Sequence, residues 1–249
     1  MKTQTIDLNA DMGEYADDGG RMVEAALMPL ISSCSIACGG HAGDDETMRD
    51  TARLAKAHGV SVGAHPSYPD REGFGRRSLT FSPDALRTSL RTQIDALKSI
   101  LDTEGMKMHH VKPHGALYND ASKNLNLALL ITELLGDAVL VGAPGSALET
   151  ASKQTGCTFA PEGFVDRLYL TSGALTPRSE PSAIIADMDA RAKQALALAR
   201  GEEVQTQSGT VQLSVQTLCI HSDTPGAVKT AQLVRSTLEN SDFEIRAFT

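Results

Sequence analysis

Short apolar runs alternate with amphipathic stretches along almost the whole chain, and this alternation predicts its architecture. The runs Thr5–Asn9, Ser35–Cys38, Val60–Ala64, Met108–Lys112, Ala138–Gly142, Cys157–Ala160 and Thr217–Ile220 read as strands, and Phe243–Phe248 as an extra strand at the tail. After each comes a loop rich in Gly, Pro, Asp and His, then a stretch of helical period. Ser82-Pro83-Asp84 supplies an N-cap, a proline in the first turn and an acid facing the helix dipole, and Gly105 closes that helix. Asp44-Asp45 opens another helix, which Gly59 ends. Thr224-Pro225 predicts the same capping near the carboxyl terminus, and Glu203–Gln216, around Ser208-Gly209, predicts an inserted hairpin.

Strands that alternate with helices pair in parallel through right-handed crossovers. Seven such units fit a closed barrel or an open doubly wound sheet. Polar residues recur after nearly every strand, as they do where all βα loops ring one mouth; an open sheet gathers them at one switch point. The expected fold is therefore α/β, a seven-stranded parallel β/α barrel. No linker, low-complexity tract or charge block divides residues 1–249, which predicts a single domain.

Composition narrows function by exclusion. Apolar residues make up 41%, enough for a sizeable core, and a net charge of −8 without any Lys/Arg run argues against a nucleic-acid surface or a polybasic membrane patch. Met1–Asp11 carries no apolar signal core, and no run approaches the roughly 18 apolar residues of a membrane span. A cytoplasmic protein is expected. Cys34, Cys38, Cys157 and Cys219 lack C-x-x-C spacing and read as buried thiols.

Five segments place reactive side chains directly after apolar runs: residues 7–14, 37–44, 63–70, 110–115 and 219–223. In a barrel all five converge on one mouth. Gly39, Gly40 and Gly43 allow close backbone approach to a ligand, and Pro66 and Pro113 stiffen the loops beside His65 and His114. Asp11 or Glu14 is a candidate general base, with Asp7 or Asn9 orienting it; the plainer reading has Asp7 and Asn9 bonding neighbouring loops. Asp11, His65, Lys112 and His114 are assigned as catalytic, and Asn9, Glu14, His41, Arg76, Arg167 and His221 as substrate contacts. Lys112 either polarises a carbonyl or holds a phosphorylated intermediate, or it sits in a buried ion pair with Asp or Glu. Arg76, Arg77, Arg167 and Arg178 are candidates for a bidentate grip on a carboxylate. Two of His41, His65 and His114 with Asp11 could hold a divalent metal. Their spacing matches no local motif such as HExxH, however, and no metal ligand is assigned. Cys38 ends an apolar strand and reads as an inert thiol, His58 and His109 as structural, and Tyr118-Asn119 as pocket lining or packing.

The ordered motifs DLNADMGE, IACGGHAGD, GAHPSYPDREGFGRR, HHVKPHGALYND, FVDRLY, LTPR and Thr224-Pro225-Gly226 run from about Ile6 to the last helix. Together they resemble the LamB/YcsF family, the A subunits of 5-oxoprolinase. That resemblance implies a barrel of the carbohydrate deacetylase/glycoside hydrolase type. It also implies hydrolysis of 5-oxoproline to glutamate together with subunits B and C, with ATP as co-substrate and Mg expected alongside it. Opening an unstrained lactam is poorly driven by hydrolysis alone, which suits ATP coupling. The chain has no GxxxxGK[ST] loop, so the ATP site is either non-standard or on a partner. Gly40 stands where the family pattern has Phe, Ser222 where it has Gly, and Ala143-Pro144 where it has Leu-Ala; Gly40 is expected to remove an aromatic wall from the pocket. Two other readings stay open: a stand-alone metal-dependent hydrolase of a small amide or acetylated carbohydrate, and a non-catalytic barrel that binds a carboxylated ligand.

Overall fold

The computed structural model describes residues 4–249. Its strands are β1 (Gln4–Met12), β2 (Ser33–Ala37), β3 (Ser61–His65), β4 (His110–Val111), β5 (Val139–Gly142), β6 (Phe159–Phe164), β7 (Glu203–Thr206), β8 (Gly209–Gln212), β9 (Thr217–Cys219) and β10 (Phe243–Ile245). The order β1-β2-β3-β4-β5-β6-β9 is parallel throughout, and β9 pairs back onto β1 through Asp7↔Thr217 and Asn9↔Cys219. The sheet thus closes into the expected seven-stranded barrel. Around it lie α1 (Asp18–Leu27), α2 (Asp45–His58), α3 (Pro83–Thr103), α4 (Gly115–Ala121), α5 (Leu125–Thr132), α6 (Ala147–Thr155), α7 (Met188–Arg200) and α8 (Ala227–Glu239). No helix among the described residues is long and apolar enough to cross a membrane.

Strand alternation sorts the side chains into two environments. Leu8, Ala10, Met12, Cys34, Ile36, Val62, Val111, Leu140 and Leu218 join helix residues such as Ala52, Leu90, Leu97 and Val234 in the main apolar core. The intervening positions are buried yet polar: Asp7, Asn9, Asp11, Ser33, Ser35, His65, His110, Lys112, Glu162 and Thr217. They fill the barrel interior, because they bond across strands that are not neighbours. Ser35 Oγ on β2 lies 3.0 Å from His110 Nε2 on β4, and Lys112 Nζ donates to Asn9 Oδ1 on β1 at 3.0 Å. Gly63 makes room for this filling, since a Cβ there would overlap the His110 ring.

Helix ends follow the local sequence in most places. Asp44 accepts from Thr47 N and Gly59 closes α2 in the left-handed conformation, while Ser82 caps α3 with Pro83 in its first turn. The hairpin is β7–β8, turning at Gln207-Ser208. Three expectations need correction. Strand β6 continues to Phe164, beyond the predicted Ala160, because Glu162, which breaks the apolar run, points into the polar interior. Thr224 does not cap α8. Its hydroxyl donates to Asp166 Oδ2 at 2.7 Å, and Gly226 takes the cap position with φ 78°. The tail strand stops at Ile245, after which Phe248 packs with Val139, Val141 and Ala160 in a small separate cluster. His109 has the structural role expected of it, with Nε2 donating to Phe248 O at 2.9 Å.

Asp7 ties the barrel seam together. Its carboxylate accepts from Ser32 Oγ at 2.6 Å, Ser33 Oγ at 2.8 Å and Thr217 Oγ1, joining β1 to the residues of β2 and β9. Burial outweighs these bonds and raises its pKa to about 6. Between the ordinary carboxyl range near 4 and about 6, the folded chain therefore binds a proton that the unfolded chain lacks, and stability falls as pH rises through that window. Asp7→Asn should lack this loss: in denaturant titrations, the stability of wild type relative to D7N should drop by about 1–3 kcal/mol from pH 4 to pH 7. A difference independent of pH would refute the assignment.

Candidate active site at the carboxyl end of the barrel

A cavity of about 460 Å³ opens where the strands end, lined among others by Asp11, Glu14, His65, Lys112, His114 and Glu162, with Arg76, Arg167, Arg178 and His221 also on its wall. All four residues assigned as catalytic reach it, as do Glu14, Arg76, Arg167 and His221. Asn9 and His41 do not. Asn9 sits deeper, donating to Glu162 Oε1 and Thr217 Oγ1, and His41 lies behind His114, stacked on its ring at 3.6 Å. Direct substrate contact at these two positions is thereby corrected to a supporting place.

Lys112 is buried and holds the centre together. Its ammonium lies 2.7 Å from Asp11 Oδ1 and donates to Glu162 Oε1 at 2.8 Å and to Asn9 Oδ1 at 3.0 Å; Cys219 Sγ is 3.4 Å away. Burial alone would pull its pKa down, but the adjacent carboxylates, Asp11 foremost, hold it well above the usual lysine range. Its three protons all have acceptors, so the ion-pair reading describes it. Asp11 shows the converse: burial favours the neutral acid, yet His65 and Lys112 outweigh burial and keep the carboxyl well below its usual range.

His65 and His114 face each other, His65 Nε2 to His114 Nδ1, at 3.0 Å. Each has its other nitrogen on a backbone carbonyl: His65 Nδ1 on Lys112 O at 2.7 Å and His114 Nε2 on Phe74 O at 2.9 Å. Phe74 adopts φ 51°, uncommon for a bulky residue, and presents both its carbonyl and its ring edge to His114. Gly75 packs so closely that a Cβ would fall 2.9 Å from the His114 ring. Glu14 Oε1 meets His41 Nε2 at 2.8 Å, His114 Nδ1 at 3.3 Å and His65 Nε2 at 3.8 Å. Burial raises the Glu14 pKa. Burial, with neighbouring His65, lowers His41 to about 2 and His114 to about 3, leaving both rings neutral. Glu24 fixes Glu14 from behind, its carboxylate accepting from Gly13 N at 2.7 Å and Glu14 N at 3.0 Å.

Across the cavity, His221 Nδ1 donates to Asp166 Oδ1 at 2.8 Å, and Phe164 stacks on the imidazole. Burial opposes ionisation of Asp166, but His221 and Thr224 hold its pKa down at about 2. This anchors His221 in one tautomer and directs Nε2 away from Asp166. The arginines divide clearly. Arg77 is bound to Asp70, Arg76 pairs with Asp223 at 2.5 Å, and Arg167 donates to Ala183 O and Thr176 O. Arg178 lines the cavity and has no ion pair among the described residues.

Sequence reasoning passes over Glu162, Asp166, Phe74 and Glu24. Glu162 and Asp166 carry a readable signal, as acids in or just after a strand. Phe74 acts through its carbonyl and Glu24 from a helix, and neither leaves a trace in residue type. The expectation for Gly40 is overturned. It does not line the cavity; a Cβ there would overlap Gln93 Oε1 and Ser67 Oγ, which occupy the space a larger residue would need. Ser222 does line it and donates to Asp11 O at 3.2 Å. Cys38 is buried, and its thiol is pushed up to about 12, which leaves it inert as expected.

Two groups of side chains present metal-type donors within 4.8 Å of one another: Glu14, His41, His65 and His114, and, separately, Asp11, Cys219 and His221. The first group fits a cation, because it combines imidazole nitrogens with a carboxylate, the donor set of zinc-class ions.

The profile of the LamB/YcsF family matches residues 6–249. The chain belongs to the LamB/YcsF family. This LamB/YcsF protein is 44% identical over 247 residues to the 5-oxoprolinase A subunit of Bordetella parapertussis, an alignment covering 97% of this chain and 98% of that one. The crystal structure of the lactam utilization protein from Thermus thermophilus superposes with a TM-score of 0.90 at 39% identity, covering 98% of this chain and 100% of that one. A family 4 carbohydrate esterase from Streptomyces lividans shares the fold alone, at TM-score 0.51 and 11% identity over 99% of this chain and 93% of its own.

Removing the Lys112 charge leaves the buried carboxylates of Asp11 and Glu162 without their shared cation. Lys112→Met should lower unfolding free energy by about 3–5 kcal/mol, whereas Lys112→Met with Glu162→Gln should recover part of the loss. Chemical denaturation measures both, and additive losses would contradict the coupling.

Proposed function

We propose that this chain is the A subunit of a 5-oxoprolinase, which with subunits B and C hydrolyses 5-oxoproline to glutamate coupled to ATP hydrolysis. The observation that carries the reading is the 44% identity to a 5-oxoprolinase A subunit over 97% of the chain. ATP, with its Mg, is the expected co-substrate of the assembly. The resemblance in fold to the Streptomyces esterase supports grouping the barrel with the carbohydrate deacetylase/glycoside hydrolase type. The sequence features favour a cytoplasmic assembly.

The geometry suits a small anionic lactam. Hydrolysis adds a hydroxyl to the lactam carbon, breaks the C–N bond and delivers a proton to the leaving nitrogen. His221 is placed for the proton transfers: Asp166 fixes its Nδ1–H, so Nε2 serves as base toward water and then as acid toward nitrogen. A ring nitrogen of His221, an Asp11 carboxylate oxygen and Cys219 Sγ lie within 4.8 Å of one another, so His221 and Asp11 can address one water between them. Lys112 positions Asp11 and Glu162 and supplies charge without donating to substrate. The buried Tyr118 hydroxyl lines the cavity without a hydrogen-bond partner and offers a donor to the ligand. Arg178 grips the carboxylate, and Arg167, tied to two carbonyls, supports it with its charge.

The Glu14–His41–His65–His114 cluster favours a second reading, a metal-dependent hydrolase acting alone. Purified chain mixed with subunits B and C, ATP and 5-oxoproline should release glutamate, and omission of ATP or of any one component should abolish it. Glutamate release by the chain alone, without ATP, would establish the second reading instead. Within the active assembly, Arg178→Ala should raise KM for 5-oxoproline by about 10–100-fold with a smaller effect on kcat, in keeping with a lost charge-assisted contact. Arg77→Ala, bound to Asp70 away from the cavity, should change KM by less than about twofold.

A further inference from the structure

The paired histidines on the cavity wall each turn one nitrogen toward the other and toward Glu14. A backbone carbonyl can only accept, so Lys112 O requires a proton on His65 Nδ1, and Phe74 O requires one on His114 Nε2. The remaining nitrogens, His65 Nε2 and His114 Nδ1, point at each other across 3.0 Å. Glu14 Oε1 lies 3.3 Å from His114 Nδ1 and 3.8 Å from His65 Nε2, and Asp11 Oδ2 lies 3.4 Å from His65 Nε2 on the side of Lys112. Two imidazole nitrogens and a carboxylate oxygen thus converge on one point of the cavity wall.

We propose that His65 Nε2, His114 Nδ1 and Glu14 Oε1 form a binding site for one divalent transition-metal ion of the zinc class. The spacing fits. Ligands held about 2.1 Å from a tetrahedral centre are about 3.4 Å apart, and the three separations here are 3.0, 3.3 and 3.8 Å. The tautomers fit as well, since ligating histidines characteristically give their other N–H to a carbonyl that fixes ring orientation. His41 Nε2 donates to Glu14 Oε1 at 2.8 Å and acts as a positioning residue, as does Phe74 through its carbonyl. All three ligands line the cavity and His41 does not, so the fourth coordination position faces the space where substrate would enter. This arrangement, three protein ligands and one open position, belongs to reactive rather than structural zinc sites. The histidines come from β3, the loop after β4 and the loop after β2, which explains why no local motif marks them.

The test needs neither partner subunits nor ATP, so it stands or falls apart from the proposed activity. Chain stripped with a chelator and dialysed is titrated with Zn²⁺ by calorimetry and with Co²⁺ by visible absorption. One ion per chain is expected, with the intense ligand-field bands of low-coordinate Co²⁺. His65→Gln and His114→Gln, which retain side-chain bulk, should each weaken binding by about 100-fold, His41→Ala by about 10–100-fold as outer-shell losses do, and exposed His58→Ala not at all. Crystals of the wild-type chain soaked in Zn²⁺ should show one anomalous peak between the three ligand atoms, a readout independent of any variant's folding. Absence of stoichiometric binding by wild type, equal affinity in the His65 and His114 variants, or an anomalous peak elsewhere only would each overturn the proposal.

Discussion

The structure depends on an ammonium group buried inside a barrel. Lys112 cannot lie there unless anions meet it, and Asp11 and Glu162, from β1 and β6, supply them at 2.7 and 2.8 Å. A buried pair of this kind adds little net stability compared with an apolar filling, but removing one member is strongly destabilising, so the group persists only as a set. That set fixes three strands relative to one another at the level just below the cavity. The apolar mantle between strands and helices provides the stabilisation that allows such a polar interior, and this is why outward strand positions such as Leu8, Val62 and Leu218 are wholly apolar.

Above this level, the reactive side chains are oriented chiefly by backbone. Lys112 offers its side chain to Asp11 and its carbonyl to His65, so one residue sets both the charge of the cavity wall and the tautomer beside it. Phe74 does the same for His114 from a loop held at positive φ, with Gly75 allowing the close approach. Glu24 fixes the strand end that carries Glu14. Preorganisation of this type needs no flexible side chain to be frozen on ligand binding, which is the main benefit of building a site on strand ends.

How much of this is legible in the sequence depends on what kind of signal each feature leaves. Strand positions and barrel closure follow from the alternation of apolar runs and helical stretches, and Asp11, His65, Lys112 and His114 stand out because each lies at the end of such a run or just beyond it. Polarity that interrupts a run misleads. Glu162 makes β6 look shorter than it is, although an inward-facing acid is what Lys112 requires. Thr224 looks like a helix cap because the capping pattern is local, whereas its actual partner, Asp166, lies far away in sequence. Gly40 looks like a widened pocket because the compensating residue, Gln93, sits on α3 and fills that volume from outside. The shared lesson is that residue type and spacing reveal which side chains stand at strand ends, and carry almost no information about partners brought in from other elements.

The cavity consequently has two chemically different walls. On one side, nitrogens of His65 and His114 converge with Glu14, an arrangement suited to a positive centre. On the other, Asp166 accepts from His221 Nδ1 and so turns Nε2 away from itself, an arrangement suited to moving protons. Asp11 lies between the walls, 3.4 Å from His65 Nε2 and 2.7 Å from Lys112, so its charge is felt by both. A group that keeps its lone pair for binding cannot also gain and lose a proton, so the two proposed functions require separate histidines. A barrel that draws its loops from strands on opposite sides provides that separation, with His65 and His114 on one wall and His221 on the other.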